Sequence, residues 1–69
     1  MNLGKVPPER KAKWDRQIHF LCEHSGYLND WETGFVDSIE LRRSEGKDLS
    51  IQQSFKLNEI FHRVEQKVG

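Results

Sequence analysis

Two capping boxes, each at the start of a helical pattern, constrain the fold of this chain more than any other feature. Asn29 is followed three positions later by Glu32, and Ser50 is followed in the same way by Gln53. In this spacing the first side chain accepts a hydrogen bond from a free helix amide, and the second reaches back to the amide of the cap. Gly46, between the two boxes, predicts the end of a helix. The sequence therefore predicts a helical hairpin in its C-terminal two-thirds.

Apolar residues recur at helical spacing in three segments, of residues from about 8 to 24, about 30 to 45 and about 51 to 67. We predict an all-α fold, a small three-helix bundle in a single domain of residues 1–69. Residues 1–7 are expected to form a flexible arm, because two consecutive prolines interrupt regular structure there. The predicted core consists of the large residues of the three stripes: Trp14, Ile18, Leu21, Trp31, Phe35, Ile39, Leu57, Ile60, Phe61 and Val64.

Two glycines carry separate expectations. Gly26 follows the first helix, where glycine can take the left-handed conformation that ends many helices. Gly34 lies inside the second helix, where a glycine costs about 1 kcal/mol relative to alanine. We expect another helix to pack closely against Gly34 and to compensate for this cost.

Cysteine and histidine do not form a recognisable metal or catalytic pattern. The lone Cys22 excludes an internal disulfide, favours a reducing compartment and lies on a predicted buried stripe, where a thiol is inert. His19, His24 and His62 lack the paired ligand spacing of a zinc site. No phosphate-binding glycine loop is present. We therefore expect no metal, no other cofactor, no enzymatic activity and no small-molecule substrate.

The sequence contains neither a secretory signal nor a stretch of about 20 apolar residues that would span a membrane. We expect a cytoplasmic protein without a membrane partner.

Charge is distributed unevenly along a chain whose net charge is zero. Residues 1–28 hold five basic and three acidic residues, residues 29–46 hold two and five, and residues 47–69 hold four and three. This pattern fits solvated helices that attract one another, and it also fits a basic face that contacts phosphates. The candidate nucleic-acid-binding residues are Lys5, Arg10, Lys11, Lys13, Arg16, Gln52, Lys56 and Arg63.

Three helices with a glycine-containing turn before the last also fit a helix-turn-helix, whose third helix would place Gln52, Lys56 and Arg63 in a DNA groove. Two features oppose this interpretation. The second helix is about twice the usual length of a positioning helix, and the chain lacks the net positive charge that duplex binding generally needs.

Large residues outside the stripes suggest a protein interface instead. These residues are Phe20, Tyr27, Val36 and Phe55. The candidate partner-binding residues are Phe20, Tyr27 and Phe55, because aromatic side chains are favoured interface anchors. Ile51, Phe55 and His62 form a second line on the third helix. The alternative is that a small bundle needs a wide apolar face and that these residues belong to its core.

Residues 28–39 read L-x-x-W-E-x-x-F-V-x-S-I, and residues 46–60 read G-x-x-L-S-x-x-Q-x-x-x-L-x-x-I. This pattern resembles a short helical segment that recurs in bacteriophage and prophage proteins of DNA replication and recombination. The resemblance covers about half of the chain and assigns no catalytic or binding residue. It implies a setting in phage or bacterial DNA metabolism and an accessory role.

Together these observations predict a non-enzymatic accessory module that binds nucleic acid or a DNA-processing enzyme through its first and third helices. The alternative is an inhibitor or regulator that binds a partner enzyme and makes no contact with DNA. The salt dependence of DNA binding would separate the two, because phosphate contacts release counterions.

Overall fold

The computed structural model describes residues 7–69. Lys5 and all but the last residue of the expected N-terminal arm lie outside the described residues. The fold is the predicted small all-α three-helix bundle, and residues 7–69 contain no strand. Its elements are α1 (Pro8–Glu23), a 3-10 turn (Ser25–Tyr27), α2 (Asp30–Ser44) and α3 (Ile51–Val68). Each of the three helices ends within one residue of the position expected from the sequence.

α1 packs against both other helices, whereas α2 and α3 make fewer contacts with each other. α2 runs antiparallel to α1, so that Asp15 of α1 meets Arg43 near the end of α2. α3 runs parallel to α1, and Gln17 of α1 meets Asn58 of α3. α1 and α3 therefore lie side by side and run in the same direction.

Both predicted capping boxes are confirmed. The Asn29 side chain accepts the Glu32 amide at 2.7 Å, and the Glu32 carboxylate accepts the Asn29 amide at 3.0 Å. The Ser50 hydroxyl accepts the Gln53 amide at 3.1 Å, and the Gln53 side chain accepts the Ser50 amide at 2.9 Å. These bonds satisfy amides that a helix start otherwise leaves without a partner.

Gly46 ends α2 as predicted, because its φ of +80° lies in the left-handed region that favours glycine. The Gly46 amide donates to the carbonyl of Arg43 at 2.9 Å, and the Lys47 amide donates to the carbonyl of Arg42 at 3.1 Å. These two bonds form a Schellman motif.

The expectations for the other two glycines are wrong. Among the described residues only Gly46 has a positive φ, so Gly26 does not form a left-handed cap. Instead, the His24 amide donates to the carbonyls of Phe20 and Leu21 and the chain continues into the 3-10 turn. A Cβ atom added at Gly34 would meet nothing within 4 Å, so neither α1 nor α3 approaches closely there.

The buried apolar residues are Trp14, Ile18, Leu21, Val36, Ile39, Leu49, Leu57, Ile60 and Val64. The predicted core is therefore correct for α1, wrong for Trp31 and Phe35 of α2 and for Phe61 of α3, and it lacks the buried Val36 and Leu49. Trp31 is 59 % exposed, Phe35 is half-buried against the core, and Phe61 is half-buried. Glu32 takes the inward position because it closes the capping box and pairs with Arg63. Neighbouring side chains on a helix diverge by about 100°, so Trp31 is turned outward.

Candidate interaction surface

A shallow groove runs between the parallel helices α1 and α3. It consists of two adjoining depressions of about 430 Å³ and about 360 Å³, which share Lys13 and Gln17 in their linings. We name it the α1–α3 groove, defined by the basic residues Arg10, Lys13 and Arg16 of α1 and the apolar residues Phe20, Ile51, Phe55 and Phe61.

The floor of the α1–α3 groove is fixed by a polar contact between the two helices. The side-chain amide of Gln17 donates to the side-chain oxygen Oδ1 of Asn58 at 3.2 Å, and Gln17 is almost fully buried. Gln17 was not predicted as a functional residue, although it lies three residues after Trp14 and four before Leu21, on the same helical stripe. Burial of a paired polar side chain specifies the alignment of α1 with α3, because any shift would leave both groups without a partner.

The basic wall presents its charges to solvent. Arg10, Lys13 and Arg16 are exposed and lie three residues apart on one face of α1. None of the ion pairs formed among residues 7–69 includes any of these three side chains. No carboxylate lines the α1–α3 groove in the part of the chain that the structure describes. This wall is therefore available to an anionic partner.

The apolar wall is unusually exposed for side chains of its size. Ile51 is 75 % and Phe55 is 71 % exposed, on consecutive turns of α3. Phe20 and Phe61 lie deeper at the other end, with their ring centroids 5.1 Å apart and edge to face. Two of the three predicted partner-binding aromatics, Phe20 and Phe55, thus line one surface. The line of Ile51 and Phe55 on α3 is evident from the sequence, whereas helical periodicity predicted Phe61 in the core.

The third predicted anchor, Tyr27, lies beyond the end of α1 and outside the groove lining. Its side chain is 46 % exposed, and its ring centroid is 6.3 Å from that of His24. The His24 ring in turn lies 4.3 Å from the Phe20 ring. Tyr27 therefore continues an aromatic row that starts in the α1–α3 groove.

Apart from Lys5, which is outside the described residues, the other predicted nucleic-acid-binding residues lie outside the groove. Lys11 pairs with Asp48 at 3.3 Å. The Lys56 ammonium lies 3.3 Å from Glu59 and 5.3 Å from the centroid of the Trp31 ring. Gln52 is exposed near the start of α3. The structure thus brings together Arg10, Lys13 and Arg16 and separates them from Lys11, Lys56 and Arg63.

Arg63 is held in the interface between α2 and α3. Its guanidinium donates to Glu32 at 2.6 Å and to the carbonyl of Tyr27 at 3.2 Å. The hydrogen bond from Arg63 lowers the pKa of Glu32, and the same bond raises the pKa of Arg63. Both groups are therefore charged at neutral pH and link two helices.

The cysteine and the histidines are dispersed over the bundle. The Cys22 thiol lies 3.5 Å from a carboxylate oxygen of Glu40, and burial together with the negative charge of Glu40 raises the pKa of Cys22 to about 11. His19 lies 3.5 Å from Glu23, and His62 lies 3.6 Å from Glu65. Within residues 7–69, no three side chains of His, Cys, Asp or Glu converge in a way that would hold a metal ion.

Comparisons with known proteins found no match to this chain among protein families, curated proteins or solved structures. No helix in the described part of the chain is both long enough and apolar enough to cross a membrane.

Proposed function

We propose that this chain is a non-enzymatic binding module that docks onto a partner protein through the α1–α3 groove. The observation that supports this function is the position of Ile51 and Phe55, which expose large apolar surfaces opposite three cations that have no partner within residues 7–69. An apolar centre with polar or charged residues at its edge is the usual composition of a protein interface. Aromatic side chains in such a centre contribute most of the binding energy.

The resemblance of residues 28–60 to a segment of phage replication and recombination proteins supplies the setting. We propose that the partner is a DNA-processing protein of a phage or a bacterium, and that the module acts in the cytoplasm as an accessory component. In this arrangement the cap and core residues of the recurring segment build the bundle, and α1 completes the binding surface.

Direct contact with nucleic acid is a second candidate function, favoured by the same three cations. Arg10, Lys13 and Arg16 extend over about 9 Å of one helix face, which suits successive phosphates. Three phosphate contacts would give a slope of about −3 for the logarithm of the binding constant against the logarithm of salt concentration. A protein interface centred on Ile51 and Phe55 would depend on salt less steeply.

A photo-crosslinking experiment tests the proposed function. The crosslinking amino acid p-benzoylphenylalanine would replace Phe55 in one version of the chain and exposed Leu41, on the outer face of α2, in another. We expect position 55 to capture a discrete protein in a lysate of the native host and position 41 to capture none. The substitution Lys13→Glu should abolish capture, whereas Lys67→Glu, the same charge change at the end of α3, should not.

Two results would contradict docking onto a protein. A crosslinked product at position 55 that disappears on nuclease treatment would favour the nucleic-acid function. Equal capture at positions 55 and 41 would show that the α1–α3 groove is not a specific surface.

A further inference from the structure

The length of the α1–α3 groove sets the size of what can occupy it. Arg10 and Ile51 lie at one end, and Phe20 and Phe61 lie at the other. The groove is thus bounded by eleven residues of each helix, whose ends lie about 15 Å apart along the axis. A helical segment of about three turns would fill this length.

The two walls of the groove require an occupant with two adjacent chemical faces. The α1 wall is basic and the α3 wall is apolar along the same direction. A helix presents an apolar stripe and a charged flank side by side, because its side chains project at intervals of about 100°. An extended peptide projects alternate side chains to opposite sides, so its acidic and apolar residues would not face neighbouring walls. Strand addition would need an open sheet edge, and residues 7–69 contain no strand, whereas a helix satisfies its own backbone groups.

The two depressions predict where the apolar residues of the occupant lie. One is lined by Trp14 and Phe55, and the other by Phe20 and Phe61. Phe55 and Phe61 are six residues apart on α3, or about 9 Å along its axis. Apolar residues at positions i, i+4 and i+7 of a helix extend over about 10 Å and would reach both depressions.

We infer that the α1–α3 groove binds an acidic amphipathic helix of about three turns, supplied by the partner protein. This inference rests on the function proposed above and identifies the element that docks. The apolar stripe of the helix packs on Ile51, Phe55 and Phe61, and its carboxylates face Arg10, Lys13 and Arg16. A nucleic acid would neutralise the cations, but its phosphate backbone has no surface that would cover the aliphatic side chain of Ile51.

A titration with designed peptides tests the inference on the intact chain. The probe is a synthetic peptide of about 14 residues with Leu at positions i, i+4 and i+7 and Glu along one flank. We expect it to shift the amide resonances of the groove residues in the 15N-labelled protein and to gain helical circular dichroism on binding. Lys13→Glu should weaken binding by about tenfold, and a peptide in which Lys replaces only the Glu that faces position 13 should restore binding to this variant. Lys67→Glu should leave the affinity unchanged.

The controls separate this inference from the proposed function. A peptide of the same composition with a central proline should bind weakly. Equal binding would contradict the inference that the occupant is a helix, but it would not contradict docking onto a protein. If no peptide shifts the groove resonances, the inference that an acidic helix binds the groove is wrong. Crosslinking at position 55 still decides whether a protein docks there. A single-stranded DNA of about 12 nucleotides that shifts the same resonances more strongly would overturn the inference in favour of nucleic acid.

Discussion

The guanidinium of Arg63 donates a 2.6 Å hydrogen bond to the carboxylate of Glu32 and thereby joins α3 to the first turn of α2. The same oxygen of Glu32 accepts the backbone amide of Asn29 at 3.0 Å. One carboxylate therefore completes a helix cap and a link between helices. Since Glu32 is almost fully buried, the charge of Arg63 compensates for much of the cost of removing this carboxylate from water.

The first prediction concerns the stability of the fold at low pH. The pKa of Glu32 lies below its usual value of 4.5, mainly because of the bond from Arg63, so this group binds protons more weakly in the folded chain than in the unfolded chain. Its contribution to stability is therefore present above about pH 4.5 and is lost as the pH falls through the lowered pKa. We expect Glu32→Gln to reduce the free energy of unfolding at pH 7 and to flatten its decline below pH 4.5. Urea unfolding at a series of pH values measures both effects, and an unchanged acid slope would contradict the role given to this pair.

The second prediction concerns the capping boxes. Asn29→Ala and Ser50→Ala should each lower the free energy of unfolding by about 0.5–2 kcal/mol, because each leaves a helix amide without its acceptor. Asn29→Asp and Ser50→Asp are matched controls that retain an acceptor and should cost far less. Unfolding in urea, followed by circular dichroism, gives the values. Wild-type stability in both alanine variants would mean that the boxes do not hold the helix starts.

The third prediction follows from the open space around Gly34. Gly34→Ala should raise the free energy of unfolding by about 1 kcal/mol, since alanine is the better helix former and its Cβ meets nothing. Gly46→Ala should have the opposite sign and cost about 1–2 kcal/mol, because the φ of +80° is unfavourable for any residue with a side chain. Thermal melts of the two variants provide the comparison. Destabilisation by Gly34→Ala would show that this face of α2 is covered.

The fourth prediction concerns the reactivity of Cys22. A pKa of about 11, raised by burial and by Glu40, leaves little thiolate at pH 8. We expect iodoacetamide to modify Cys22 about 100-fold more slowly than an unstructured cysteine peptide. Glu40→Gln should increase the rate, because it removes a negative charge beside the thiol. A rate equal to that of the peptide would be inconsistent with the packing of Cys22.

The sequence predicted most of the fold because helix boundaries are local. Asn29, Ser50 and Gly46 mark their ends through side-chain and backbone preferences that need no tertiary information. The inward face of α2 was not predictable in this way, because Glu32 is buried only through Arg63, 31 residues later in the chain. Hydrophobic periodicity alone placed Trp31 inside instead.

Individual residues of the interaction surface could be predicted from the sequence, but their arrangement on one surface could not. The sequence named Phe20 and Phe55 and the basic residues of α1, but their convergence depends on the parallel alignment of α1 with α3. Helical periodicity describes one helix at a time, so it gives no information on which faces meet. The ion pairs that engage Lys11 and Arg63 are likewise tertiary, and charge counting treats these residues like Lys13.

The contact between Gln17 and Asn58 links positions 41 residues apart in the chain. The surface between α1 and α3 therefore does not exist in any partly folded chain that lacks either helix, and it would form on a ribosome only after synthesis of α3. A ligand that binds this surface selects the native state over every other state, so its binding free energy adds to the global stability. Distant substitutions that unfold the bundle would then weaken binding by mass action without touching a single contact residue.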